Sequence, residues 1–160
     1  MGKKKLPRTS AVRELDRLGL NFSLHPYKYE EGGGTRVVAS ELKVEEHQVI
    51  KTLVMKTDQE EPFLVLMHGD RKVSLKALAR FLKVKAIEPC TPKEAHKFTG
   101  YTVGGISPFG TRKELTIYME KTILDLKWSY INAGHKGLMA KISPSDLLGA
   151  LKPTLVNVAI

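Results

Sequence analysis

Apolar residues recur along this chain in two rhythms, one helical and one extended. Ala11, Leu15 and Leu18 stand at i, i+4 and i+7, one face of a helix, with Ser10 as its cap and Gly19 as its stop. Residues 21–29 read as extended, Glu30-Glu31-Gly32-Gly33-Gly34 as a flexible loop, and a short helix follows through Val38 and Leu42. Residues 49–57 predict a strand and residues 63–68 its hairpin partner across Asp58-Gln59-Glu60-Glu61-Pro62. Ser74 opens a helix with Leu75, Leu78, Ala79 and Leu82 on one face. Thr91-Pro92-Lys93-Glu94 combines a cap, a first-turn proline and the glutamate of a capping box, for a helix that stops by Gly100. Strands are predicted over 115–119, 127–132 and 138–142. Ser143-Pro144 then starts a helix through Leu147, Leu148 and Leu151, and the apolar tail 155–160 reads as a last strand. Strands outnumber helices and several are spaced for hairpins. That pattern predicts an α/β or α+β domain with a mixed sheet, rather than regular alternation around a parallel one. No GxGxxG or phosphate-binding glycine-lysine loop is present, which argues against a nucleotide-cofactor fold.

Composition narrows the picture. A chain of 160 residues, 42% of them apolar, has room for one domain with a real core. The expected division is a flexible basic tail over residues 1–8 and a single domain over 9–160. The tail is basic but is followed by no apolar stretch with a cleavage site, and no apolar run approaches the ~20 residues of a membrane span. Cytoplasmic location and no membrane partner are therefore expected. One cysteine, Cys90, rules out an intrachain disulfide, and its place before a helix start suits a structural role. The five histidines are not spaced as metal ligands, so neither a metal nor another cofactor is expected. The net charge of +9, from 26 Lys+Arg against 17 Asp+Glu, favours a polyanionic partner such as RNA, although a basic balance also serves solubility.

Three segments stand out chemically. Lys51 interrupts an otherwise apolar strand, sharing one face with Val49, Leu53 and Met55 while Ile50, Thr52 and Val54 take the other. A lysine in that setting pairs with an ion, lines a pocket, or carries its ammonium to a strand end along an apolar stem. Residues 100–110 hold paired glycines, Gly104 and Gly105, which allow close backbone approach to a ligand or an ordinary turn. Asn132-Ala133-Gly134-His135-Lys136-Gly137 is a second glycine turn with basic side chains, which by itself reads as a hairpin.

Taken in order, these segments resemble the YbaK family, which includes the editing domain inserted in bacterial-type prolyl-tRNA synthetases. The resemblance runs from His25-Pro26-Tyr27-Lys28-Tyr29, through Val49-Ile50-Lys51-Thr52-Leu53 and Thr99–Gly110, to Gly134-His135-Lys136-Gly137-Leu138 and Ser143-Pro144-Ser145-Asp146-Leu147. It implies a mixed barrel-like sheet surrounded by helices. The implied activity is release of a misacylated amino acid from tRNA, with cysteine on tRNA(Pro) favoured and alanine or serine as alternatives. On this resemblance Lys51 is the essential lysine, Gly104 and Gly105 form the substrate-binding glycine loop, and Tyr27 and Thr52 line the pocket. Ser107 and Pro108 belong to the same loop. Asn132 and Met139 depart from the pattern: relatives carry Ser at the first, and cysteine-specific relatives often a polar or acidic residue at the second. Both are expected beside the bound amino acid. The implied partners are aminoacyl-tRNA, of tRNA(Pro) or tRNA(Cys), and prolyl-tRNA synthetase.

An aminoacyl ester is already reactive, so positioning and charge stabilisation suffice without a nucleophilic triad. Lys51 is expected to hold phosphate or ribose or to polarise the ester, and N–H groups near Gly104 and Gly105 to stabilise an oxyanion. The nucleophile would be the thiol of a cysteinyl substrate, or water for alanine. The competing expectation is a non-catalytic tRNA-binding module.

Overall fold

The computed structural model describes residues 6–160; of the expected basic tail, residues 1–5 lie outside the described residues. Leu6 packs against the main core cluster and Arg8 pairs with Asp16 at 3.0 Å. The first helix, α1 (Ser10–Arg17), is capped by Thr9 rather than Ser10: the Thr9 hydroxyl accepts the Val12 N–H and also donates to the Ala133 carbonyl, tying the cap to a distant strand. Next come β1 (Phe22–Pro26), α2 (Gly34–Leu42), β2 (Val49–Thr57), β3 (Pro62–His68) and α3 (Leu75–Leu82). The remaining elements are β4 (Ile87–Pro89), α4 (Pro92–Thr99), β5 (Thr116–Glu120), β6 (Ser129–His135), β7 (Leu138–Ile142), α5 (Pro144–Leu151) and β8 (Thr154–Val156).

The strands form one mixed sheet in the order β1-β7-β6-β2-β3-β5-β8, with β4 added to β2. β2–β3 and β6–β7 are antiparallel hairpins, whereas β2–β6, β3–β5 and β5–β8 are parallel. The fold is thus the expected mixed α/β arrangement. One face packs Ile50, Leu66, Ile131 and Ala140 under α1 and α5. On the other, α3 covers Met55, Val65 and Met67, and α2 covers Val49, Tyr130 and Met139. The predicted capping box at Thr91 forms in full, its Glu94 reaching back to the Thr91 N–H at 2.9 Å. The same carboxylate meets Lys56 of β2 at 2.8 Å and is held down near about 2 by that hydrogen bond.

Two local expectations change, and one strand goes unpredicted. β4 has no alternating signature, with only Ile87 buried in three residues. β6 starts at Ser129, not 127, and runs past Asn132 to His135 because a register shift lies between those two. The C-terminal strand stops at Val156, after which Ala159 makes a single bridge to Val73. No helix among the described residues is long and apolar enough to cross a membrane.

Candidate functional site

β2 runs beside two different neighbours on one edge. It pairs in parallel with β6 only at Val49 and Ile50, and from Met55 onward that edge is taken by β4. Between these pairings, residues 51–54 have no strand partner on that side, and the sheet opens into a cavity of about 540 Å³, a size suited to a small-molecule moiety. The segment Tyr29–Val38, including the start of α2, walls one side. Val103, Gly104 and Ile106 wall another, and Asn132 and Met139 lie alongside.

Lys51 lines this cavity and is half-buried. Burial pulls its pKa below the ordinary lysine value, Glu46 and Asp70 oppose that pull, and Lys72 adds to it. Glu46 is itself held: the Thr35 hydroxyl donates to its carboxylate at 2.7 Å. Beside Lys51, the Thr52 hydroxyl is buried without a hydrogen-bond partner among the described residues. A buried hydroxyl left unpaired is costly, which marks Thr52 as an unusual neighbour in the cavity wall. Tyr27 completes this side; its N–H donates to the Gly137 carbonyl at 2.9 Å, and burial raises its phenol, which stays a neutral donor.

The glycine loop divides into two roles. Gly104 lines the cavity with φ +96°, and a Cβ there would lie 2.7 Å from the Tyr29 hydroxyl. Its carbonyl accepts from Asn132 Nδ2 at 3.0 Å, while Asn132 Oδ1 accepts the Gly134 N–H at 2.7 Å and the His135 N–H at 3.2 Å. Gly105 is buried outside the cavity lining; a Cβ there would meet the Lys136 backbone nitrogen at 2.9 Å. Its N–H already donates to the Thr102 carbonyl at 2.8 Å, so it is not the spare oxyanion donor anticipated for it. Ser107 and Pro108 are buried behind the loop, and the Ser107 hydroxyl is occupied by the Phe109 N–H at 3.1 Å. The structure thus gathers Tyr27, Lys51, Thr52, Gly104, Asn132 and Met139 at one cavity and leaves Gly105, Ser107 and Pro108 as its support.

Sequence reading missed Tyr29, Thr35 and the two acidic residues of the loop. Lys136 sits 5.1 Å from the Tyr29 ring centroid and 3.8 Å from Glu31, bracing two residues of the lining from outside it. Tyr29 stands two residues from Tyr27 in an extended segment, the one signal that placed both on a common face. Cys90 lies outside the lining, its thiol pushed up to about 11 by burial and then by Glu94. Among the described residues no three His, Cys, Asp or Glu side chains group as metal ligands.

Residues 30–150 match the family described as "Aminoacyl-tRNA editing domain". Over 150 residues the chain is 27% identical to an Enterococcus faecalis protein named "Putative Cys-tRNA(Pro)/Cys-tRNA(Cys) deacylase EbsC", covering 92% of each. It is 33% identical over 100 residues to a proline–tRNA ligase of Streptococcus equi subsp. zooepidemicus, where the match covers 62% of this chain and 16% of the ligase. A crystal structure titled "a putative trans-editing enzyme for prolyl tRNA synthetase" superposes with a TM-score of 0.83 at 22% identity, over 98% of this chain and 99% of that one. With the family match spanning most of the chain, and Lys51, Thr52 and Gly104 meeting at one cavity, this protein belongs to the YbaK-type aminoacyl-tRNA editing domains.

Proposed function

We propose that residues 9–160 act as one cytoplasmic trans-editing domain that deacylates mischarged tRNA, with cysteine on tRNA(Pro) as the preferred substrate. The observation that carries this reading is the half-buried Lys51, without an ion pair among the described residues, in the wall of a cavity sized for an aminoacyl ester. The ammonium holds the terminal ribose or phosphate and stabilises charge on the ester oxygen, Tyr27 supplies a hydroxyl, and Thr52 shapes the wall beside them. The cavity lining contains no cysteine or histidine, and its Thr35 hydroxyl is committed to Glu46 and the Gly69 carbonyl. The nucleophile is therefore assigned to the substrate: the cysteinyl sulfur attacks its own carbonyl carbon, the ester C–O bond breaks, and the thiol proton leaves with the ribose hydroxyl. The product is a four-membered thiolactone, open to hydrolysis. Met139 is a soft neighbour for that sulfur.

The test is deacylation of a panel of charged tRNAs by the purified protein, with S-methylcysteinyl-tRNA beside cysteinyl-tRNA. Cysteinyl-tRNA is expected to be cleaved fastest and the S-methyl analogue to resist. Equal cleavage of the two would remove the substrate thiol as nucleophile, and an ester left intact across the panel would make the protein a binder only.

A further inference from the structure

The sheet face that carries the cavity continues beyond it. Asn132 pairs with Met139 and Tyr130 with Lys141 in the β6–β7 register, so all four side chains share one face. β1 extends this face, with Ser23 opposite Lys141 and His25 opposite Met139. α2 covers its middle, packing Val38 and Ala39 with Tyr130 and Met139. Past α2 the face emerges again with a different chemistry. Trp128, the chain's one tryptophan, is half-exposed, and the Lys141 ammonium stands 4.8 Å from its ring centroid. His25 meets the Tyr130 ring edge-on at 5.7 Å, and its Nε2 lies 2.7 Å from the Ser23 hydroxyl. Burial and then the Lys141 charge lower the His25 pKa, and no carboxylate contributes. Lys141 makes no ion pair among the described residues. An indole, an unpaired ammonium and an imidazole without a neighbouring acid form a stacking platform with a phosphate contact, the combination that holds single-stranded nucleic acid.

We infer that the Trp128–Lys141–His25 row is a docking surface for the single-stranded 3′ end of transfer RNA, holding the nucleotides that precede the one whose ester enters the cavity. The inference rests on the deacylase reading above for its choice of RNA. Its geometry follows from the chain: Trp128 stands just before β6, four residues and about 13 Å of extended chain from Asn132, a span that a short nucleotide segment passing over α2 bridges. Arg36 on α2 and Lys43 at its C-terminal cap, both exposed, add positive charge to the same helix.

The experiment compares binding of uncharged tRNA with an intact 3′ end and tRNA lacking its last three nucleotides, for wild type, Trp128→Ala and Trp128→Phe, with melting temperature as the folding control. Wild type is expected to prefer the intact end about five-fold or more, the low end of one base–aromatic stack. Trp128→Ala should lose that preference and Trp128→Phe keep most of it. In turnover, Trp128→Ala should raise KM for aminoacyl-tRNA by a similar factor and leave cleavage of aminoacyl-adenosine, too short to reach the row, unchanged. If Trp128→Ala does not fold, Lys141→Gln is read in the same two assays with the same expectation. No preference in the wild type, an undiminished preference in Trp128→Ala, or an equal loss on aminoacyl-adenosine would each overturn the inference. Absence of deacylation in every form would count against the catalytic reading, while the binding comparison still decides this surface.

Discussion

Lys51 occupies a position where its charge is costly, and the fold compensates only in part. Its own burial acts against the ammonium, while Glu46 and Asp70 favour it from nearby. A purely structural lysine on a strand would reach solvent or a close carboxylate, as Lys56 does with Glu94 at 2.8 Å. Lys51 instead lines the cavity and makes no ion pair among the described residues. Lys51→Ala should therefore leave melting temperature within a few degrees of wild type and remove nearly all deacylation. Lys51→Arg should also be poor, since a planar guanidinium does not reproduce a compact ammonium in a confined space. The pH profile follows the sign of the shift. A lowered pKa means that the ammonium is lost earlier as pH rises, so kcat/KM, corrected for spontaneous ester hydrolysis, should fall on an alkaline limb below the ordinary lysine range. An active, folded Lys51→Ala would exclude this residue from the chemistry.

At the scale of elements, the glycine loop and the β6–β7 turn behave as one unit. Asn132 spends its amide donor on the Gly104 carbonyl and its acceptor on two N–H groups of the turn, so the loop is held from beneath. Gly105 presses on the same turn from the other side, within reach of its backbone. The paired glycines thus separate in mutagenesis. Gly105→Ala places a Cβ 2.9 Å from backbone that has nowhere to move, and should cost about 1–3 kcal/mol of stability as an overpacked site does. Gly104→Ala is strained by φ +96° and also meets the far end of the Tyr29 side chain and intrudes on the cavity, so some stability is lost and turnover should fall by more than that loss explains. Parallel measurement of both quantities decides it; the same ratio of losses in the two variants would mean that the glycines share one role.

For the whole molecule, the +9 charge sets the long-range behaviour. Each phosphate contacted releases counterions, so even three contacts should weaken tRNA binding roughly twenty-fold or more between 50 and 200 mM salt. A titration series across that range checks it, and affinity independent of salt would show that the basic surface is not the binding surface. The charge does not explain where the ester goes. That depends on the topology, in which β2 leaves β6 after Ile50 and is joined by β4 at Met55.

The amino-acid sequence by itself determined the parts governed by local physics. β2 begins and ends where its apolar run placed it, and α4 starts at the capping box written in Thr91 and Glu94, because strand-forming runs and caps act within a few residues. The ordered Lys51-Thr52 and Gly104–Pro108 motifs were likewise legible, and with them the family. Only the tertiary structure decided which motif residues face the substrate. Gly104 and Gly105 look alike in sequence, yet Tyr29 stands against one and the backbone of Lys136 against the other. Ser107, expected with the substrate-binding loop, is instead buried with its hydroxyl occupied by the Phe109 N–H. Thr9 replaces Ser10 as the helix cap because Ala133, far along the chain, accepts its hydroxyl. The glycine and cap choices are made by partners distant in sequence, brought close by the fold, and no local pattern carries that information.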